Sequence, residues 1–351
     1  MDLIEMKHPY VFAILFLALL CLAAVPALAA IPANQNSTFE RTITDDSGAA
    51  VTIHGEPQRI VSLAPANTEI LFALGLGDRI VGVTDYCNYP PAAKTKPSIG
   101  GYSTVSVEKI IALKPDLIVA SYGNGADAVH RLDTLNQTVI TLNPANITGV
   151  LNDITLVGYA TGTEDNATSL VTSLQARIDA VEQNASAMAT HPKVAHIVWN
   201  DPLYVSGNGT FQDELITMAG GTNAFADKPY WATVSAEEFV AADPDILIVN
   251  SGTGMGGSED AIALALENDT RFVNVAAIKN HHVYVIDSDM VDRGGPRIVD
   301  ALEIVASDIH DAEGTGAGAA ATPTQKSPGF DDMPAVAALA AGMVVALRRM
   351  Q

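Results

Sequence analysis

The chain of 351 residues has two cysteines, two tryptophans and little positive charge, with 19 lysines and arginines against 40 acids and a formal net charge of −21. An acid excess of that size excludes nucleic acid and anionic lipid as electrostatic partners. Cys21 lies inside an N-terminal apolar run. If that run is removed, Cys87 stands alone, so neither an intrachain disulfide nor a thiolate metal centre can form. The eight histidines show no His-x-His or His-x-x-x-His grouping, which argues against a bare zinc or manganese binder. Enzyme fingerprints are missing too. No Walker or dinucleotide motif follows a predicted strand, and Ser62 lacks a G-x-S-x-G frame.

What is present is a stretch that occurs twice. TVSVEKIIALKPDLIVASYG, from Thr104 to Gly123, returns as TVSAEEFVAADPDILIVNSG, from Thr233 to Gly252, with eight of the twenty aligned positions identical. Val107, Ile110, Ile111 and Leu113 fall at helical spacing, and Pro115 ends the helix because it has no backbone N–H to donate. The apolar run Leu117–Ala120 then has the pattern of a strand covered on both faces of a parallel sheet. Ser106 and Ser235 stand as helix caps just before Glu108 and Glu237, in the turn where the helix dipole favours negative charge. Two related α/β halves follow, with a ligand cleft between strand ends.

The ends of the chain have the composition of addresses. Lys7 precedes an apolar block ending in small residues, with Ala27 and Ala29 spaced for a signal peptidase, so residues 1–29 are expected to be a signal peptide and 30–38 a polar leader. Residues 311–327, rich in Gly, Ala and Thr, are expected to form a flexible stalk. Ser327-Pro-Gly-Phe330, an apolar run and Arg348-Arg349 close the chain. About fifteen apolar residues reach only ~22 Å as a helix, short of a ~30 Å hydrocarbon core. Residues 328–351 resemble the archaeal PGF-type sorting signal, which implies a cleaved tail and a lipid anchor at the extracellular face of the membrane. Seven Asn-x-Ser/Thr sequons, at Asn36, Asn136, Asn146, Asn166, Asn184, Asn208 and Asn268, suggest a glycosylated surface and mark exposed positions.

Between these ends, Phe39 to Ile53 is expected to be a hairpin, and Arg59–Leu63 and Arg79–Thr84 are expected to be strands. Ala64–Asn67 hands over to a helix ending at Gly75, and Asn200–Gly209 is a loop rich in Gly, Asn and Pro. RIVSLAPANTEILFALGLGDRIVGVTDYCNYP, IGGYSTVSVEKIIALKPDLIVA, PLYVSGNGTFQDELITMAGGTNAFAD, YWATVSAEEF and VYVIDSDMVDRGGPRIVDAL together resemble the cobalamin and iron-siderophore substrate-binding proteins of ABC importers. The resemblance covers about Phe39 to Asp308. It implies two Rossmann-like α/β lobes, residues 39–160 and 192–310, joined by one long helix within 161–191, the arrangement of class III substrate-binding proteins. It also implies a monomer with no catalytic residues and no cofactor of its own, whose ligand is a cobalt or iron chelate and whose partner is a permease dimer.

Aromatics make up only 6% of the chain, yet Tyr86 follows a predicted strand, Tyr122 and Trp199 end theirs, and Tyr102 and Trp231 lie just before the two repeats, so the five are expected to cluster at loops on one edge. Such rings suit a large, flat, partly apolar ligand. The resemblance makes Asp289 and Arg293 the acid and arginine that reach the ligand from the second lobe. Alternatively Asp289 caps a helix or pairs with Arg293, while Arg297 is expected to be solvated. Glu108 and Glu237 match the family's docking acids, which meet arginines of the permease. Cys87 is either a small buried filler or a thiolate ligand to cobalt or iron. Few cleft arginines favour a corrinoid or near-neutral siderophore over a catecholate. Haem, a bare metal ion, an enzymatic role and a structural surface glycoprotein are the rival readings.

Overall fold

In the computed structural model, which describes residues 39–251 and 260–314, the two copies of the repeat fold alike. The expected signal peptide, the leader with Asn36, the sorting tail and most of the stalk lie outside the described residues, as does Cys21. A hairpin of β1 (Glu40–Thr44) and β2 (Ala50–His54) leads into four parallel strands, β3 (Ile60–Ser62), β4 (Ile80–Val83), β5 (Leu117–Ser121) and β6 (Val139–Leu142), in the order β4-β3-β5-β6. The second sheet contains β7 (Lys193–Asn200), β8 (Leu203–Ser206), β9 (Thr222–Asn223), β10 (Trp231–Thr233), β11 (Ile246–Ser251) and β12 (Val283–Asp287). Its order is β10-β8-β7-β11-β12, with β9 pairing β7.

The helices are α1 (Pro65–Ala73), α2 (Val107–Ala112), α3 (Ala126–Thr134), α4 (Ile147–Thr161), α5 (Glu164–Ser186), α6 (Phe211–Met218), α7 (Ala236–Ala242), α8 (Ala261–Glu267), α9 (Ala276–Lys279), α10 (Ser288–Val291) and α11 (Ile298–Gly314). In each repeat a short helix, α2 or α7, is capped by its serine, whose Oγ accepts from Lys109 N or Glu238 N. Lys114 and Asp243, at equivalent positions, take left-handed backbone with φ of 49° and 42° to turn the chain before the proline. The aspartate after that proline then clamps the start of the neighbouring strand. Asp116 accepts from the Gln58 and Arg59 amides at 2.8 and 2.9 Å, and Asp245 from the Lys193 amide at 2.8 Å. Two chain reversals are thus fixed by the same three residues' chemistry.

The halves differ at one edge. The first sheet is parallel throughout, whereas β8 and β10 add an antiparallel ribbon to the second. The segment expected to be a loop after Asn200 therefore contains a strand, because Leu203 and Val205 turn inward and bury beside β7.

The 23-residue α5 spans ~35 Å and buries Ala167, Leu170, Leu174, Ile178 and Val181. One continuous apolar cluster contains Ile70 and Leu142 of the first half, Leu174 and Ile178 of α5, and Leu215, Ile248 and Leu302 of the second. Arg177 of α5 reinforces this packing with ion pairs to Asp300 and Glu303 of α11, each at 2.6 Å. Ile309 and Ala312 keep α11 on the core, so the helix runs through Gly314 into the stretch expected to be stalk. All six described sequon asparagines are exposed.

On α4, the Asp153 carboxyl is buried with Oδ2 unpartnered and lies against Asp46 of the hairpin turn; burial, with Asp46 beside it, pushes it up to about 8. The folded chain therefore holds a proton there that the unfolded chain has released, and stability falls as pH rises from about 4 towards about 8. Asp153→Asn should flatten that slope and raise the melting temperature more at pH ~8 than at pH ~5, measured by thermal unfolding across that range.

Candidate functional site

The carboxyl ends of the parallel strands in each half carry the polar residues that meet between the lobes. In the first lobe the neighbours of β3 diverge to β4 and β5, the switch point where open α/β sheets leave a crevice. Asn67 Nδ2 pins α1 across that crevice by donating to the Val119 and Ala120 carbonyls at 3.2 and 2.9 Å. Thr68 Oγ1 lies within hydrogen-bond distance of Ser62 Oγ at 2.8 Å, the Ala64 carbonyl at 3.0 Å and Cys87 Sγ at 3.1 Å. Cys87 is a buried filler whose thiol is pushed up by desolvation, which disfavours a thiolate.

These bonds place Glu69, on the next position of α1, against the second lobe with 3% of its surface exposed. Arg297 grips it with a fork, Nε to Oε2 at 2.9 Å and Nη2 to Oε1 at 2.7 Å, and stacks on the Tyr89 ring at 4.1 Å. Arg293 Nη1 also donates to Glu69 Oε1 at 3.1 Å and to Asn88 Oδ1 at 2.8 Å. Its Nη2 donates to Asp289 Oδ1 at 2.6 Å and to the Tyr86 carbonyl at 3.4 Å. Asn88 completes the set by donating to Asp289 Oδ2 at 2.5 Å. The Gly294-Gly295 turn packs against the first lobe. A Cβ on Gly295 would stand 3.4 Å from Ala66 of the first lobe, and one on Gly294 would stand 3.1 Å from Phe211 and Pro144.

Arg297, expected to be solvated, is instead 8% exposed and holds the lobes together. Asp289 pairs with Arg293 as one of the two alternatives held. Glu69 and Asn88 were not expected at all. The only trace of Glu69 in the sequence is an acid inside an otherwise apolar helix, Ile70-Leu71-Phe72 following it, and Asn88 leaves none.

The aromatic candidates form two sets. In the first lobe, Tyr86 and Tyr122 are 60% and 74% exposed, while Tyr102 is half-buried with its hydroxyl 3.0 Å from Ser121 Oγ. Tyr102 and Tyr122 share one loop cluster, since Asn124 donates to the Tyr102 carbonyl and the Tyr102 ring covers Gly123. The Tyr86 ring lies 3.8 Å from where a Cβ on Gly101 would stand, beside that cluster. In the second lobe, Trp199 and Trp231 are in β7 and β10 rather than in loops. They flank β8, where Trp199 faces Tyr204, Tyr204 faces Thr233 and Trp231 faces Ser206. Trp199, Pro202, Tyr204 and Thr233 line a depression of about 330 Å³ that belongs to the second lobe alone. Among the described residues, the polar contacts that join the lobes include those of Arg293, Arg297 and Asn88 and that of Glu214, which accepts from the Ile147 amide at 2.8 Å.

A family model described as "Periplasmic binding protein" matches residues 60–290. The chain belongs to this family. Among its relatives is an uncharacterized ABC transporter substrate-binding lipoprotein, YvrC, of Bacillus subtilis, 35% identical over 84% of this chain and 95% of that protein. A vitamin B12-binding protein of Photorhabdus laumondii is 27% identical over 74% of this chain and 90% of its own length. Among solved structures, the apo periplasmic heme-binding protein RhuT of Roseiflexus sp. RS-1 superposes with a TM-score of 0.66 at 28% identity, covering 73% of this chain and 98% of that one. The two-lobed α/β architecture is that of these neighbours.

Glu108 and Glu237 of this binding protein occupy the first turns of α2 and α7, the equivalent helices of the two lobes. Both are exposed, and Glu108 pairs with Arg131 at 3.2 Å in the open.

Magnitudes separate the buried pairs from the exposed ones. Glu69→Ala leaves Arg297 buried without its acid and should lower stability by roughly 3–5 kcal/mol in urea unfolding. Glu164→Ala, which removes the half-exposed partner of Arg41, should cost about 1 kcal/mol or less.

Proposed function

We propose that the chain is an exported solute-binding protein that captures a metal chelate, a corrinoid or an iron–siderophore complex, and delivers it to an ABC permease. The observation that carries this reading is the meeting of two sets of strand ends over one polar floor, in a chain of the periplasmic binding protein family. The names of the relatives, which include a vitamin B12-binding protein and a heme-binding protein, agree with a flat chelate as cargo. Tyr86, Tyr102 and Tyr122 would cover it from the first lobe and Trp199 and Trp231 from the second, with Asp289 and Arg293 beneath. Full burial of one such ring contributes ~1.5–3 kcal/mol, so three or four supply much of the ~8 kcal/mol that micromolar binding needs.

A bare ion suits the site less well. Among the described residues no group of three or more His, Cys, Asp and Glu is placed to hold one. The protein makes and breaks no covalent bond in this reading, and its work consists of capture, docking and release. Glu108 and Glu237 present equivalent acids to the two equivalent subunits of a permease dimer. Residues 1–29 direct export, and a lipid that replaces the cleaved PGF-type tail holds the protein at the outer face of the membrane. The sequon asparagines carry glycans on that exposed surface.

Titration with cyanocobalamin, cobinamide and a ferric hydroxamate, followed by tryptophan fluorescence, tests the cargo. At least one should quench emission saturably, and Trp231→Ala should weaken that binding roughly 10-fold. A flat response to every chelate would refute it. Glu108→Ala with Glu237→Ala should abolish stimulation of the transporter while chelate affinity stays within about 2-fold, since exposed charges of this kind carry little stability. Retained stimulation would remove the docking role.

A further inference from the structure

Arg293 has four N–H bonds on its two terminal nitrogens, and each finds an acceptor inside the protein. Nη1 serves Glu69 and Asn88, and Nη2 serves Asp289 and the Tyr86 carbonyl. Arg297 commits Nε and Nη2 to Glu69, with Nη2 also on the Asp289 carbonyl, and its guanidinium lies over the Tyr89 ring. Two guanidiniums therefore face two carboxylates, with Asp292 beside Arg293 and Asp287 beside Arg297 as further acids, so the floor between the lobes offers no excess of positive charge. Other cations are committed in the same way. Lys228 pairs with Asp227 and Glu238, Arg271 with Asp269, and Arg131 with Glu108. Around that floor the chain carries its acid excess, a net charge of −21, which adds a repulsive field for any anion that approaches.

We infer that Glu69 and Asp289 set the charge selectivity of the cleft: by consuming both arginines they make it accept neutral or cationic chelates and reject anionic ones. This rests on the chelate-binding reading and narrows its cargo. An anionic group that engaged Arg293 would either displace Asp289 or Glu69, stranding a carboxylate, or take the place of Asn88 or the Tyr86 carbonyl and stand beside both carboxylates, and in each case like-charge repulsion and desolvation offset the new contact. A neutral amide-bearing chelate disturbs none of these bonds. Within the pair the two acids differ in role. Glu69 is buried and also holds Arg297, so it is structural as well as selective. Asp289 is more exposed and touches only Arg293 and Asn88 through its side chain, so it can be changed without opening the lobes.

The test uses the full chain and probes matched in shape. Cyanocobalamin is compared by calorimetry with its monocarboxylate, in which one peripheral amide has been hydrolysed, and a neutral ferric hydroxamate with a trianionic ferric catecholate. The wild-type chain should prefer the uncharged member of whichever pair it binds by roughly 10-fold or more. Asp289→Asn, which frees Arg293 but keeps the Glu69–Arg297 fork, should narrow that ratio at least about 3-fold by strengthening the anionic member alone. Glu164→Gln makes the same change in net charge far from the cleft and should leave the ratio as it is. An anionic member bound as tightly as its neutral partner, or an Asp289→Asn effect equal on both, overturns the inference and leaves chelate binding standing. Failure of all four probes to bind removes the chelate reading and this inference with it.

Discussion

A carboxylate with almost no access to water must be neutralised where it stands, and the whole approach of the two lobes is arranged around that need at Glu69. Its position is set from the first lobe, where Asn67 and Thr68 tie α1 to the ends of β3 and β5. Its partners come from the second, on either side of a turn that packs beside Ala66. The pairing is not a source of great stability in itself, because desolvation takes back much of the Coulomb gain. What it provides is registry: with either charge missing the other is stranded, so only one docking of the lobes satisfies both. The apolar cluster that runs through α5 into both lobes supplies the cohesion. Wide separation of the lobes would expose part of that cluster, which opposes large opening.

Duplication explains why two lobes of quite different edges still face one another symmetrically. The helix, left-handed residue, Pro-Asp turn and buried strand recur with the same bonds, and each copy delivers its strand beside the first strand of its sheet. Glu108 and Glu237 inherit equivalent places from that repeat without any need for contact between them. Divergence shows in the β1–β2 hairpin of the first half and at the outer edge of the second sheet, where an antiparallel ribbon is added. That ribbon is what brings Trp199 and Trp231 to either side of β8, a placement the first lobe has no means of copying.

Local chemistry was legible in the sequence and contact between distant segments was not. The repeat, the Pro115 stop and the period of Leu170, Leu174 and Ile178 are signals that a few neighbouring residues carry by themselves. Arg297 was misjudged because a charged residue after Gly-Gly-Pro looks like a surface turn, and only the partner lobe reveals the acid waiting for it. β8 was hidden by its surroundings: four strand residues between Pro202 and Gly207 are too few to outweigh the turn formers on either side. The end of α11 failed for a related reason, since the composition of the following stretch masked Ala312, whose methyl still reaches the core. Asn88 could not have been singled out, because its importance lies wholly in standing between Arg293 and Asp289.

On the proposed reading, the rings and the floor divide the tasks of recognition. Exposed faces such as those of Tyr86, Tyr122 and Trp231 lose water when covered, and this favours any broad apolar plate with little regard to its edge groups. Selection among such plates must then come from what the edges meet. A free guanidinium would reward carboxylate or phosphate edges with charge-assisted bonds. One whose donors are already filled rewards nothing and penalises intrusion. The acid that looks, from sequence, like a second hand reaching for the ligand is on this view what keeps the arginine from reaching.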